Sequence, residues 1–176
     1  MNSSGKVYIT GTSAVLPNAP VDNDGIEGVL GMIAGKPSRA RRIVLRNNGI
    51  RQRHYAIDPA SGQATHSNAG LTAEAVRGLG SLIDIDCLAT GTSTPDQLMP
   101  NHGVMVHGEL GIPACEVAST AGICVAGVTA LKYAYMAVAC GMAKNAVATA
   151  SELVSPMLHA RNFAAESEYR VTELET

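Results

Sequence analysis

Between Ala114 and Ala150 three patterned stretches follow one another: the apolar run ACEVAS ending at Ser119, a helix-spaced stretch from Cys124 to Ala139, and a second short run from Ala146 to Ala150. Strand, helix and strand in that order favour parallel pairing, because parallel strands need a crossover of a dozen or more residues. Similar alternation precedes it. Lys6 to Val15 is β-rich and closes at Leu16-Pro17-Asn18, which predicts a strand and a turn. Asp22 to Gly35 predicts a short helix, with Ile26, Val29, Leu30 and Ile33 at helical spacing behind Asp and Asn capping residues. Thr65 to Leu79 predicts a second helix, Ile83 to Thr90 a strand, and Asn101 to Leu110 a helix stopped by Gly111-Ile112-Pro113. The expected class is α/β, a parallel or mixed sheet covered on both faces by helices, in one domain spanning residues 1–176. The tail from Ala160 is polar and acidic, with no readable element.

The interior of such a layered fold must here be built from small side chains. Hydrophobic residues make up 46% of the chain, yet only one Phe, five Tyr and no Trp occur, so Ala, Val, Ile, Leu, Met and Gly fill the core at close spacing. The apolar content excludes a disordered peptide. The lack of aromatic stacking faces and the net charge of −2 argue against a nucleic-acid partner. The amino terminus has no cationic segment followed by an apolar core, and the longest apolar stretch, Ile123 to Ala143, is broken by Lys132 and by glycine. That stretch reads as a buried helix of a soluble protein, not a membrane span. Cys87, Cys115, Cys124 and Cys140 lie in no metal-ligand spacing, which fits a reducing, cytoplasmic setting with no metal and no cofactor expected.

Charge is uneven. Lys36, Arg39, Arg41, Arg42, Arg46, Arg51 and Arg53 are seven of the 13 basic residues, and no Asp or Glu occurs between Gly28 and Ile57. A solvated loop and a landing site for phosphates or an acidic partner are both compatible with that patch.

Among residues able to carry chemistry, Cys124 has the most informative position. It follows strand ACEVAS and the turn-like Thr120-Ala121-Gly122, then opens a helix with Val125, Val128, Leu131 and Tyr135 at core spacing. Unpaired N–H groups and the positive end of the dipole at a helix start favour a thiolate nucleophile. A cysteine can equally serve as a small core hydrophobe. Cys87, Cys115 and Cys140 read as filler. His102 and His107, five apart on one helix, lie on different faces and do not form a two-histidine metal site. His54, His66 and His159 are isolated, and Gly11-Thr12-Ser13 lacks the rest of a phosphate loop.

Three segments together carry a resemblance: Gly49-Ile50-Arg51-Gln52-Arg53-His54, the run Leu110 to Ala118 (LGIPACEVA), and Cys124-Val-Ala-Gly-Val-Thr-Ala-Leu. With the order of elements, they resemble the N-terminal half of β-ketoacyl-acyl carrier protein synthase III, a thiolase-fold condensing enzyme. The likeness spans nearly all of the chain, and the family's helix glycine after the nucleophile falls at Gly141. The resemblance implies a thiolase-like fold and a catalytic Cys124. That thiol would accept an acyl group from a CoA or carrier-protein thioester, after which malonyl-carrier protein decarboxylates and attacks. The backbone N–H of Cys124 would form part of the oxyanion hole. It further implies that Arg46, Arg51 and Arg53 contact the phosphopantetheine carrier, that Met99 reaches a partner's acyl pocket, and that the molecule is a homodimer through Ala114 to Ala118.

The chain departs from the family in four ways. It stops at Thr176, so the second half with the GDGAGA-like turn and the catalytic His and Asn is absent, and decarboxylative condensation is not expected of this chain alone. Ser119 to Ile123 is about three residues longer than in the family, and the connection between the Leu71 helix and the Ile83 strand about five shorter. Ile43, Asn47 and Pro156 stand where CoA-using members carry nucleotide-contacting residues, which implies a primer on a carrier protein or a specialised acyl donor. Two alternatives remain on the same fold: acyl transfer to an oxygen or nitrogen acceptor, and a non-catalytic partner subunit or truncated fragment.

Overall fold

The computed structural model describes residues 6–80 and 84–163. They form two compact units: one gathers the residues up to Val15 with Ser67–Leu153, the other Leu16–His66 with the segment from Val154 onward.

The first unit is built on a three-stranded parallel sheet in the order β4 (Glu116–Thr120), β3 (Cys87–Gly91), β5 (Ala146–Ala150). Leu88 pairs with Val117 on one side and Val147 on the other, and the register continues without a bulge to Gly91. Side chains along β3 alternate between two packed faces, as every central strand of a covered sheet must. Leu88 meets Ala69 and Ala73 of α3 (Asn68–Arg77) and Val106 of α4 (His102–Leu110). Cys87 and Ala89 meet Ala130, Ala134 and Ala137 of α5 (Ala126–Ala139). Leu88, Val76 and Val106 are fully buried, and each such side chain contributes about 1.5–3 kcal/mol by leaving water.

Helices α3 and α4 start where side chains take up free backbone N–H groups. Ser67 accepts from Gly70 N (3.0 Å) and Asn101 from Val104 N (3.0 Å). Asp96 adds a second cap to α3, accepting from Asn68 N (2.7 Å) and Ala69 N (2.8 Å). Gly111 (φ 62°) and Gly141 (φ 75°) lie just past the ends of α4 and α5 in the left-handed conformation that closes a helix.

The second unit carries α1 (Ile26–Leu30), α2 (Arg41–Asn48) and a two-residue antiparallel pair of β1 (Val21–Asp22) and β2 (Gln52–Arg53). Tyr55, Ala56 and Ile57 form its buried segment, and Ala56 N donates to Ser155 Oγ (3.1 Å).

Several expectations are corrected. Lys6 to Val15 joins neither sheet; Tyr8 and Ile9 are both exposed, and Ser13 instead packs on Gly78 just past α3. Strand propensity alone does not make a strand, and the segment pairs with none of the described strands. The Asp22 to Gly35 helix is broken: Asp22 pairs in β1, Gly31 (φ 79°) ends α1, and Ile33–Gly35 forms a single 3-10 turn. The Arg-rich segment contains α2, stopped by Gly49 (φ 70°). The strand expected from Ile83 starts at Cys87, with Ile83 itself outside the described residues, as is the tail beyond Phe163. The strand expected from Ala114 to Ser119 runs two residues later at its start and one at its end. No helix among the described residues is long and apolar enough to cross a membrane.

The largest correction concerns α5. Val125, Val128, Leu131 and Tyr135, spaced as a core stripe, are exposed, and the buried stripe is Ala126, Ala130, Ala134 and Ala137. Both sets have helical periodicity, so spacing alone does not choose between them. Proximity does: a β-carbon on Gly91 would lie 2.7 Å from Gly127 N, and one on Gly127 would lie 3.3 Å from Ala150 Cα and closer still to Ala150 Cβ. With backbones this near at the two glycines, not even a β-carbon fits there, and the neighbouring buried positions of α5 are alanines.

Candidate active site

Parallel strands deliver their C-terminal ends to one edge of the sheet, and the ends of β3, β4 and β5 meet there with the start of α5. Cys124 stands at this edge, in the 3-10 turn Ile123–Val125 that leads into α5, and is exposed.

The turn before it is strained. Gly122 has φ 149° and Ile123 has φ 53°, a left-handed conformation in a β-branched residue. Such a residue costs about 1–2 kcal/mol and persists only where surrounding contacts hold it. The contacts are visible. Ser93 Oγ accepts from both Ile123 N (2.6 Å) and Gly122 N (3.2 Å). Thr120 Oγ1 donates to Ala126 O (2.8 Å), joining the end of β4 to the first residue of α5, and Val125 N returns to Gly122 O (3.1 Å).

Ser93 is itself fixed by Glu152, just past β5. Glu152 Oε1 accepts from Ser93 N (2.8 Å), and Oε2 accepts from Thr94 Oγ1 (2.7 Å) and Thr92 Oγ1 (3.3 Å). From α3, the buried Asn68 Nδ2 donates to Thr92 Oγ1 (2.9 Å) and Thr94 O (2.7 Å). Residues 92–94 are thereby held from two sides.

Beneath this edge lies a buried polar layer. The His102 Nε2 atom lies 3.2 Å from Thr72 Oγ1 and 3.3 Å from Ser151 Oγ, and burial pushes its imidazole below the ordinary value while Asp96 and Glu152 oppose that shift. His107 occupies the last turn of α4, with Nε2 3.1 Å from Pro113 O. The two histidines thus stay apart, and no cluster of metal-binding side chains occurs among the described residues.

The other thiols differ in kind. Cys87 is buried, and burial, aided by Glu116, pushes its thiol up to about 11. Burial raises Cys115 as well. Cys140 is exposed at the opposite end of α5 from Cys124.

Met99 is exposed in the same unit, ahead of α4. Arg46, Arg51 and Arg53 belong to the second unit and are not equivalent. Arg46 lies in the last turn of α2 beside a small hollow shared with Asn23, Asp24 and Arg42. Arg51 is exposed, while Arg53 is half-buried and donates to Asn23 Oδ1 (2.8 Å). Asn23 also donates to Ile50 O (3.1 Å), so the segment Gly49 to His54 is pinned at Ile50 and at Arg53. Arg41, also of the patch, is taken up by an ion pair with Glu27 (2.7 Å). An apolar hollow of about 560 Å³ in this unit, walled by Ile26, Leu30, Val44, Leu45, Leu158 and Phe163, has no cysteine in its lining. Sequence reasoning singled out Cys124 and passed over Ser93 and Glu152. The hydroxyl run Thr92-Ser93-Thr94 was the available signal, but its acceptor lies 58 to 60 residues away.

No protein-family model matches the chain. Among curated proteins, it is 30% identical over 150 residues to a β-ketoacyl-[acyl-carrier-protein] synthase III of Chelativorans sp. (strain BNC1), covering 85% of this chain and 44% of that protein. The corresponding protein of Agrobacterium fabrum is 28% identical over 158 residues with the same coverage. The chain thus spans less than half the length of the curated relatives it matches. Among solved structures, AbyA1, a tetronic acid condensing enzyme, is 32% identical with a TM-score of 0.60, over 75% of this chain and 40% of that one. The synthase III of Thermus thermophilus shares the fold at a TM-score of 0.65 and 23% identity, over 84% of this chain and 43% of that one. In sequence and fold together, the chain corresponds to the N-terminal half of the β-ketoacyl-acyl carrier protein synthase III-like, thiolase-fold condensing enzymes.

Proposed function

We propose that this chain supplies the acyl-accepting half of a condensing enzyme, with Cys124 as nucleophile. The observation that carries the reading is an exposed thiol at the entry to α5, behind a strained turn at the C-terminal edge of a parallel sheet. Ligands of open α/β sheets gather at that edge. The thiolate attacks the carbonyl of an acyl thioester, the carrier thiol leaves, and an acyl-Cys124 thioester remains. The Cys124 backbone N–H stabilises the tetrahedral oxyanion. Decarboxylative condensation with malonyl-carrier protein then draws on a His and an Asn from the second half of such an enzyme.

The donor is read as an acyl-carrier protein or a specialised acyl thioester, with Arg46, Arg51 and Arg53 on the carrier side and Met99 at the acyl pocket. Ile43 and Asn47 are exposed on α2 without the aromatic face or guanidinium that would hold an adenine. The 32% identity to a tetronic acid condensing enzyme supports a product outside ordinary chain elongation. Homodimerisation through β4 is consistent with its place at the edge of the sheet. The exposed apolar residues of α5 are suited to packing beneath a further layer of such an enzyme.

Incubation with an acyl-carrier protein thioester, followed by peptide mass mapping, tests the reading. An acyl increment on Cys124 that disappears in Cys124→Ala is expected. Acylation confined to other thiols, or none, overturns it.

A further inference from the structure

The turn that presents Cys124 is shaped by residues remote from it in sequence. Two successive amides, Gly122 and Ile123, converge on the single oxygen of Ser93. Such convergence requires the backbone to curl, and Ile123 adopts its left-handed φ of 53° in doing so. Without the acceptor, a β-branched residue reverts to extended or right-handed helical backbone. That change would rotate the next peptide unit, which carries the N–H and the thiol of Cys124.

Ser93 can only impose this geometry if its own position is fixed. Its N–H is held by Glu152, whose other oxygen takes the flanking hydroxyls of Thr92 and Thr94, while Leu153 N donates to Thr94 Oγ1 (2.8 Å). The Glu152 carboxylate is thus spent on three neutral donors; among the described residues it enters no ion pair. A carboxylate receiving only N–H and O–H groups orders backbone more tightly than a neutral side chain would.

We propose that Ser93 and Glu152 are positioning residues for Cys124: Glu152 fixes the 92–94 loop, and Ser93 holds the 122–123 turn in the strained conformation that sets the direction of the thiol and its backbone N–H. The proposal rests on the reading of Cys124 as the acyl acceptor, and deepens it by naming what keeps the acceptor in register.

The test uses the protein with Ser93→Ala, Ser93→Thr and Glu152→Gln, and the small thioester S-acetyl-N-acetylcysteamine, which needs no carrier recognition. Ser93→Ala and Glu152→Gln are expected to slow acylation of Cys124 by about 10- to 100-fold at saturation, with the half-saturating concentration nearly unchanged. Ser93→Thr, which keeps the hydroxyl, restores most of the rate. Circular dichroism is expected to match wild type, so a general loss of fold is separated from misplacement. In parallel, iodoacetamide labelling is followed at Cys124 with Cys140 as internal reference, and the Cys124:Cys140 ratio is expected to shift in Ser93→Ala and Glu152→Gln and return in Ser93→Thr. Wild-type rates and labelling ratios in both loss variants overturn the proposal. If the wild type takes no acetyl group from this small thioester, the labelling ratio decides whether these two residues position the thiol, and the acyl-carrier protein thioester decides the function reading separately.

Discussion

Gly91, the last residue of β3, touches the first turn of α5 so closely that a β-carbon on it would stand 2.7 Å from Gly127 N and nearer still to the Ala126 carbonyl. The start of α5, two residues after Cys124, is therefore seated on the strand end itself. Gly91→Ala must push α5 away or bend β3, and overpacking of this kind costs about 1–3 kcal/mol. A lower urea midpoint with unchanged slope is the expected result. An unchanged midpoint would show that the approach is looser than described.

Thiol reactivity should divide the cysteines by environment. Cys124 and Cys140 are exposed, whereas Cys87 is buried with its thiol pushed up to about 11. Iodoacetamide near neutral pH should label the first two and leave Cys87 until the protein is unfolded. Of the exposed pair, Cys124 should react first, because it stands in the turn proposed to present the acyl acceptor at the C-terminal edge of the sheet, while Cys140 lies at the far end of α5. Time-resolved peptide mapping checks the order, and equal rates at all four thiols would contradict both assignments.

Acid should weaken the first unit through His102. Burial depresses its imidazole, so the folded state binds its proton at lower pH than the unfolded chain does. Unfolding then takes up a proton, and stability, undiminished at pH 7 and above, falls as the pH drops below about 6.5. His102→Gln removes that titration. Urea midpoints between pH 7 and pH 5 should decline less steeply in the variant, and parallel curves would rule out the assignment.

A second titration runs at lower pH. Asp86 Oδ2 accepts from Lys144 N (2.8 Å) and Asn145 N (3.0 Å), and these bonds hold its carboxyl below the usual range. A depressed carboxylate stabilises the fold above its unfolded value, and that contribution is lost as the pH falls through the folded one. Asp86→Asn should therefore be less stable than wild type at pH 7, with the gap closing in strong acid. Thermal melts across that range measure it.

The alternation of β3, α4, β4, α5 and β5 was legible in the sequence because each element announces itself locally. Asn101 and Ser67 cap their helices, Gly111 and Gly141 close theirs, and the β-run at Ala146–Ala150 is matched residue for residue. Cys124 could be singled out for the same reason, since it stands between a strand, a glycine turn and a helix. Local signals failed where a partner at a distance decides. Lys6 to Val15 has strand propensity but no ladder, and the basic segment hides α2 because arginines favour helix as readily as solvated loop.

By itself, then, the sequence determined the α/β alternation, the small-residue interior and the candidate nucleophile, all of which depend on spacing between near neighbours. Only the tertiary structure decided which face of α5 is buried, because Val128, Leu131 and Tyr135 keep helical period as faithfully as Ala126, Ala130 and Ala134, and the close approach at Gly91 and Gly127, with no room even for a β-carbon there, turns the alanine face to the sheet. It alone also joined Ser93 to Ile123 and to Glu152, contacts that span 30 and 59 residues and leave no period in the chain to be read.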